Sequence, residues 1–498
     1  MKEFVFSYPT KVYFGEKVLK KALEEELSRQ GHTVMLAYGG GSVKQNGIYD
    51  SVEKWLRDMG KRVVDFSGIL PNPTYAKVQE GAALAKREHA DYILAVGGGS
   101  VIDCCKILAA QAKTEEDIWE MELVQHKLPV ETIPLGAIVT ASGTGAEMNG
   151  GAVITHEALQ IKTGLLAAAP RFAVLDPTYT LSVPPMQVFS GAFDTFSHAM
   201  ETYLGQSDAD HVSDDVALAI LRNTVVNMRR SLVRFDDVQA RGNLMWDSAM
   251  AENGILKVGR LTDFQAHQIE HQLGAYTDCN HGQGLAVIQP AYYRHILQDA
   301  AEKFTRFARE VFGVDTAEDG IRALTDFLKE CGLPTRLDEL KFKVEITPKL
   351  LRQVADTCNL IQSNPRALSR EEIYDILMEC LPSADADGAK KKRRLYDRRD
   401  AAFGSPFDQP GVRRMGIRRR KERTGKNRFF WRHCPGKGRR FARKKPYPRA
   451  FGGGDIRKRP RLCLQKNQRV QTAGCRQKEA FPSAASLRKY CFFVSLFS

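Results

Sequence analysis

The chain has 498 residues, 43% of them hydrophobic and 27% charged, with a formal net charge of +14. That length suits two or three domains with buried cores. The net charge would ordinarily suggest a nucleic-acid partner, but residues 388–498 hold about 34 of the 73 Lys and Arg and about 6 of the 59 Asp and Glu. The tail alone is therefore basic, about +28, and the preceding 387 residues carry about −14.

Ten cysteines without a Cys-x-x-Cys pair exclude a disulfide framework and point to a reducing compartment. Met1 to Pro9 contains no apolar core of signal-peptide length. No apolar run approaches the roughly 20 residues that span a bilayer. A cytoplasmic protein without a membrane partner is expected.

Residues 1–182 alternate apolar strands with helical stretches. Strands are predicted at Val34–Tyr38, Val63–Phe66, Tyr92–Val96, Leu135–Thr140 and Phe172–Leu175, and helices at Val43–Met59, Tyr75–Arg87 and Val101–Ala112. This alternation predicts an α/β domain with a parallel sheet covered on both faces. After Pro184-Pro185 the helical period dominates: Val188–Leu204, Ser213–Arg230, Val238–Leu256, Asp263–Tyr276, Ala300–Phe312, Pro348–Asn359 and Ser369–Cys380. Residues 183–387 are expected to form a helical second domain, with the active site in the cleft between the two. Residues 388–498 show neither period, and no packed fold is expected there.

Two glycine runs fall at predicted strand ends, where ligands bind in parallel sheets. Gly97, Gly98, Gly99 and Ser100, followed by Asp103, lie between a strand and a helix. Glycines admit a pyrophosphate, and the amides and dipole of the helix N-terminus favour its charge. Ser100 is positioned to cap that helix or to bind phosphate. Gly39, Gly40, Gly41 and Ser42 form the second run, and Thr140, Ser142 and Thr144 add hydroxyls at a third strand end. Three such turns predict a nucleotide site. The strand before Gly39 ends without a carboxylate to bind a ribose 2′-hydroxyl, whereas the amides, Ser42 and Lys44 suit a 2′-phosphate. NADP(H) is therefore expected over NAD(H).

Asp194 and His198 are four residues apart, so they share one face of a helix. His267 and His271 repeat that spacing, and His281 follows. One carboxylate with imidazoles suits Fe(II) or Zn(II) and leaves room for a substrate oxygen. A single pair of this kind is more often a set of capping and core side chains; two pairs plus His281 favour a metal. Spacing leaves open which of His267 and His271 is the ligand and which carries protons.

Gly97–Asp103, the Asp194/His198 segment and the stretch from His267 to Gly282 together resemble the iron-dependent (group III) alcohol dehydrogenase family. Within it, the likeness is greatest to butanol dehydrogenases and NADPH-dependent aldehyde reductases, and it spans residues 1 to about 385. It implies an architecture shared with dehydroquinate synthase. It implies Asp194, His198, His267 and His281 as metal ligands, with His271 near the nicotinamide and substrate. It implies cofactor contacts from Gly39–Ser42, Gly97–Ser100, Thr140, Thr144, Lys162 and Leu181, although Lys162 also reads as an ordinary exposed lysine. Homodimers are common in the family. The expected activity is interconversion of short-chain primary alcohols and aldehydes. Met148, Asn149, Phe264 and Tyr276 are candidate pocket residues, or plain packing.

The competing readings are a glycerol or polyol dehydrogenase on the same scaffold, a non-redox synthase, and a nucleic-acid-binding protein acting through the tail. The synthase would need a basic phosphate pocket beside the metal, and no lysine-rich cluster accompanies His267–His281. The tail departs from the family and reads first as a frame shift or read-through, second as a basic arm that binds phosphates.

Overall fold

The computed structural model describes residues 3–205, 211–363 and 365–382, so the basic tail lies outside the described residues. The first part follows the order β1 (Lys11–Phe14), α1 (Leu19–Leu27), β2 (Thr33–Tyr38), α2 (Ser42–Gln45), α3 (Ile48–Asp58), β3 (Arg62–Phe66), α4 (Tyr75–Arg87), β4 (Tyr92–Gly97), α5 (Gly99–Gln111), α6 (Ile118–Leu123) and β5 (Leu135–Val139). It ends with β6 (Gly151–His156), β7 (Ile161–Leu166) and β8 (Phe172–Leu175).

Six strands form one parallel sheet in the order β1-β8-β5-β4-β2-β3. Side chains alternate across its faces, as the two-residue period requires. Met35, Ala37, Ile93, Ala95, Ala137 and Val139 join one core with α4 and α5. Val34, Leu36, Leu94, Val96, Ile138 and Val174 join the other with α1 and α3. Both faces are thus buried, which explains the unbroken apolar strands. β6 and β7 form a separate antiparallel hairpin, and β1 is an edge strand; neither is among the predicted strands.

The second part begins with Pro185 in the first turn of α7 (Pro185–Leu204), where a missing N–H costs nothing. It continues with α8 (Val212–Val233), α9 (Val238–Glu252), α10 (Gln265–Thr277), α11 (His281–His295), α12 (Ala301–Phe307), α13 (Ala317–Glu330), α14 (Pro348–Thr357) and α15 (Arg370–Glu379). α7 is its central element: every residue from Ala192 to Leu204 is buried. Phe193, Phe196 and Met200 pack there with Ile269, Leu285, Ile288 and Phe304. The predicted helix over residues 43–59 is in fact two, divided where Gly47 turns left-handed at φ 75°. The helix predicted to start at Asp263 starts at Gln265, because Phe264 is left-handed at φ 58°. α11 and α13 are two long helices that are not among those predicted. Among the described residues no helix is long and apolar enough to cross a membrane.

Candidate active site

The three glycine- and hydroxyl-rich turns meet at the carboxyl end of the sheet. β2 pairs with β4, and β4 with β5, so the turns after Tyr38, Gly97 and Val139 are neighbours. The chain order reverses direction between β2 and β4, and parallel sheets open a crevice at such a point. The Thr140 N–H donates to Gly97 O at 2.9 Å, and the Thr144 hydroxyl lies so close to Gly99 that no side chain fits there. Gly98 is the N-cap of α5, and no side chain caps the helix. Ser100 therefore does not act as its N-cap. The first amides of α5 are left to bind an anion. Gly40, Gly41 and Ser42 are exposed, and Ser100, Thr140, Ser142 and Thr144 are half-buried along the crevice. Leu181, also half-buried, follows Thr180, which shares a hollow with Ser142.

Asp103 is buried. One carboxylate oxygen accepts the Val153 N–H at 2.9 Å; the other has no hydrogen-bond partner and lies 3.6 Å from the buried Lys106 ammonium. Lys162 is not an exposed lysine. It is 6% exposed, on β7, with its ammonium 3.2 Å from Glu270 Oε2.

Across the crevice, the helical part brings together all four predicted ligands. α7 supplies Asp194 and His198 on one face, α10 supplies His267, and His281 opens α11. The start of α11 sits against α7 because residue 282 is glycine: a Cβ there would strike Ser190 O. The same junction is tied by a Ser190 hydroxyl bond to the Asn280 side chain. Asp194 Oδ1 faces three imidazole Nε2 atoms, of His281 at 3.3 Å, His267 at 3.5 Å and His198 at 3.6 Å. One ligand atom from each of Asp194, His267 and His281 lies within 4.8 Å of the others. His198 adjoins this trio through Asp194 and stacks on His267 at 4.6 Å.

A buried carboxylate stands behind each Nδ1, within hydrogen-bond reach at His267 and His281 but not at His198. Glu201 Oε1 is 2.6 Å from His267 Nδ1, Glu270 Oε2 contacts His281 Nδ1, and Glu252 Oε1 is 4.0 Å from His198 Nδ1. A carboxylate behind Nδ1 fixes the proton there and turns the lone pair of Nε2 forward. Glu201 and Glu270 are not among the site residues expected from the sequence. The signal was present: Glu201 lies seven residues after Asp194 on the same helix face, and Glu270 falls between His267 and His271. His271 differs from the other three. It is buried, it forms no ion pair with a carboxylate among the described residues, and its Nδ1, like that of His198, has no hydrogen-bond partner. Burial, reinforced by Lys162, holds its pKa well below the usual histidine range.

The cluster fits a divalent cation. Asp194 Oδ1 and His267 Nε2 are buried without hydrogen-bond partners. Burial resists a charge on His267, yet Glu201 and Asp194 outweigh it and push the pKa up to about 10. The surroundings thus favour positive charge at this point. Ligand atoms about 2.1 Å from one ion stand roughly 3.0–3.4 Å apart, close to the 3.3–3.6 Å between Asp194 Oδ1 and the imidazoles, with His198 outside the tight trio.

Of the candidate pocket residues, Phe264 lies against the cluster, its ring 5.0 Å from His267 and 5.9 Å from His198. Met148 is buried and accepts from the Tyr8 hydroxyl. Asn149 donates to Glu252 O at 3.1 Å, and Tyr276 sits 3.4 Å from the Thr357 hydroxyl.

Comparison with known proteins covers both parts. Residues 9–177 match the iron-containing alcohol dehydrogenase model, and residues 188–381 match that of the C-terminal part of the Fe-containing alcohol dehydrogenase family. NADH-dependent butanol dehydrogenase A of Clostridium acetobutylicum is 34% identical over 386 residues, 76% of this chain and 99% of its own. NADPH-dependent aldehyde reductase YqhD of Escherichia coli is 32% identical over 366 residues, 72% of this chain and 94% of its own. The solved structure of NADH-dependent butanol dehydrogenase A from Thermotoga maritima superposes with a TM-score of 0.72 at 34% identity, covering 77% of this chain and 99% of that one. With both of its parts matched in order along one chain, this protein is a member of the iron-containing alcohol dehydrogenase family.

Proposed function

We propose that the protein reduces short-chain aldehydes, and oxidises the corresponding primary alcohols, with one divalent metal and NADP(H). The observation that carries this reading is the convergence of three imidazole Nε2 atoms on Asp194 Oδ1, on a helix whose Thr195 hydroxyl donates to Gly143 O in the third turn at 3.0 Å. Asp194, His198, His267 and His281 hold Fe(II) or Zn(II). His267 is preferred to His271 because it alone of the two has a carboxylate behind Nδ1 and faces Asp194. A second grouping, of Glu270, His271 and His281, is also tight enough for an ion. Its carboxylate, however, is already engaged by Lys162, His281 and Cys279. A metal held there would supply Lewis acidity toward the substrate oxygen, and a bound nicotinamide would supply the hydride chemistry.

The chain's own residues supply position and protons. The turns at Gly97–Ser100 and Thr140–Thr144 seat the pyrophosphate against the α5 amides. Glu201 and Glu270 keep His267 and His281 in the tautomer that offers Nε2. His271, with a free buried Nδ1, passes the proton between the reacting oxygen and solvent. Phe264 covers the cluster against water.

The preference for the 2′-phosphate rests on the first turn. Asp65 is the carboxylate beside it, and the Tyr38 and Tyr49 hydroxyls donate to it at 2.7 and 2.8 Å. Lys44 lies over both rings, at 5.0 and 4.3 Å from their centroids. This leaves a cation and exposed amides, rather than a free carboxylate, at the ribose end. Named relatives use either cofactor, so the decision is local to this turn. A cytoplasmic homodimer is the proposed working form, supported by the family resemblance and by the unbridged thiols of Cys104, Cys105, Cys279, Cys331 and Cys380.

Steady-state reduction of butanal by the metal-loaded chain tests the proposal. The expected result is turnover with a higher kcat/KM for NADPH than for NADH. A higher value for NADH overturns the cofactor preference. A folded, metal-loaded protein inert with both overturns the substrate class.

A further inference from the structure

Two non-glycine residues in left-handed backbone meet across the crevice. Asn72 (φ 54°) and Asp278 (φ 53°) are 206 positions apart in sequence. Asn72 Nδ2 donates to Asp278 Oδ1 at 2.8 Å and to Cys279 O at 3.3 Å. A left-handed side chain is costly and persists where its surroundings over-determine it, most often at functional sites. Here two such residues are partners of each other.

What they join gives the contact its meaning. Asn72 lies in the strap of residues 67–73 between β3 and α4. That strap is pinned to the first nucleotide turn: the Gly68 N–H donates to Gly39 O at 2.9 Å, and Ile69 N–H to Tyr38 O at 3.4 Å. Asp278 lies in the three-residue link between α10 and α11, which carry His267 and His281. Lys343 holds Asp278 from outside at 2.5 Å. The adjoining Asn280 donates to Gln187 at 3.2 Å and accepts from Ser190, both on α7. The strap therefore runs from the turn that seats one end of the dinucleotide to the turn that carries a metal ligand.

We propose that Asn72 and Asp278 are positioning residues. Their bond holds the dinucleotide turn at a fixed distance from the metal-bearing turn, and its opening lets the cofactor leave. The proposal rests on the cofactor reading above. Asn and Asp are the side chains that best tolerate left-handed backbone, so the backbone and side-chain roles have to be separated by experiment. Asn72→Gly keeps the backbone comfortable and removes the bond. Asn72→Asp sets two carboxylates against each other. Asn72→Asp combined with Asp278→Asn restores the bond in the opposite sense.

The test is stopped-flow displacement of NADPH from the full-length, metal-loaded chain, with steady-state KM, metal content and thermal midpoint measured alongside. In Asn72→Gly the NADPH release rate and KM are expected to rise roughly three- to tenfold, as for the loss of one hydrogen bond, with metal content unchanged. Asn72→Asp is expected to be worse, and the double variant to return to within roughly twofold of wild type, as coupled neighbours do. A plain packing role would lower the midpoint without moving the release rate. Unchanged release in Asn72→Gly, or a double variant no better than Asn72→Asp alone, overturns the proposal. A wild-type chain that binds neither NADPH nor NADH overturns it together with the cofactor reading.

Discussion

Replacing Glu201 by glutamine changes one atom, and its consequences can be followed bond by bond. Glu201 is fully buried, and both of its oxygens only accept. Oε1 receives His267 Nδ1 at 2.6 Å, the Ser197 hydroxyl at 3.1 Å and Gln289 Nε2 at 2.9 Å. Oε2 receives the backbone N–H groups of Ala266 at 3.1 Å and His267 at 3.3 Å. An amide nitrogen cannot replace Oε2, because two fixed N–H donors point at it. It must replace Oε1, where Gln289 can turn its amide to accept. The amide nitrogen then faces His267 Nδ1, which has to become an acceptor, so the proton moves to Nε2. A protonated Nε2 cannot bind metal. Loss of such an outer carboxylate typically costs 10- to 100-fold in metal affinity, about 1.4–2.7 kcal/mol. The assay is competition for Zn(II) between the metal-stripped chain and a chromophoric chelator, with a thermal melt of the stripped protein to verify folding. A folded Glu201→Gln variant whose zinc affinity stays within roughly twofold of wild type would refute the reasoning.

Three further outcomes are expected. His271→Asn retains full metal content by elemental analysis but turns over 10²- to 10⁴-fold more slowly, the usual range for a lost acid–base group; loss of metal instead would make His271 a ligand. Lys44→Met lowers kcat/KM for NADPH roughly tenfold, as the loss of one charge-assisted hydrogen bond would, and leaves that for NADH unchanged; an equal fall in both would place the 2′-phosphate elsewhere. A chain ending at residue 387 keeps its metal content and its kcat/KM. A large loss in either would make the basic tail part of the enzyme.

Much of this site is legible in the chain because its signals are local. Continuous apolar strands announce a sheet buried on both faces, and the glycine runs fall at the ends of those strands. Asp194 and His198 share a helix face through spacing alone. The choice between His267 and His271 is not local. Both lie on α10 with equal spacing, and only the position of α7 decides which one meets Asp194. The burial of Lys162 is likewise tertiary, since its partner Glu270 is 108 positions away. The β6–β7 hairpin is only half-buried, so its strands lack the continuous apolar run that marks those of the main sheet. α11 starts at a site residue and carries Pro290 inside it, both of which argue against a helix. α13 has no such excuse: Ile321, Leu324 and Leu328 have helical spacing and are buried. Glu201 was readable too, once Asp194 and His198 fixed the face.

The most direct test of the account is whether one metal at Asp194 makes the difference between an inert chain and a reductase. Butanal-dependent oxidation of NADPH is measured on the stripped full-length protein as Fe(II), or separately Zn(II), is added back. Activity is expected to be absent at first and to rise until one equivalent per chain is bound, with no recovery in Asp194→Asn. Reduction of butanal by the stripped protein, or equal recovery in Asp194→Asn, would contradict it.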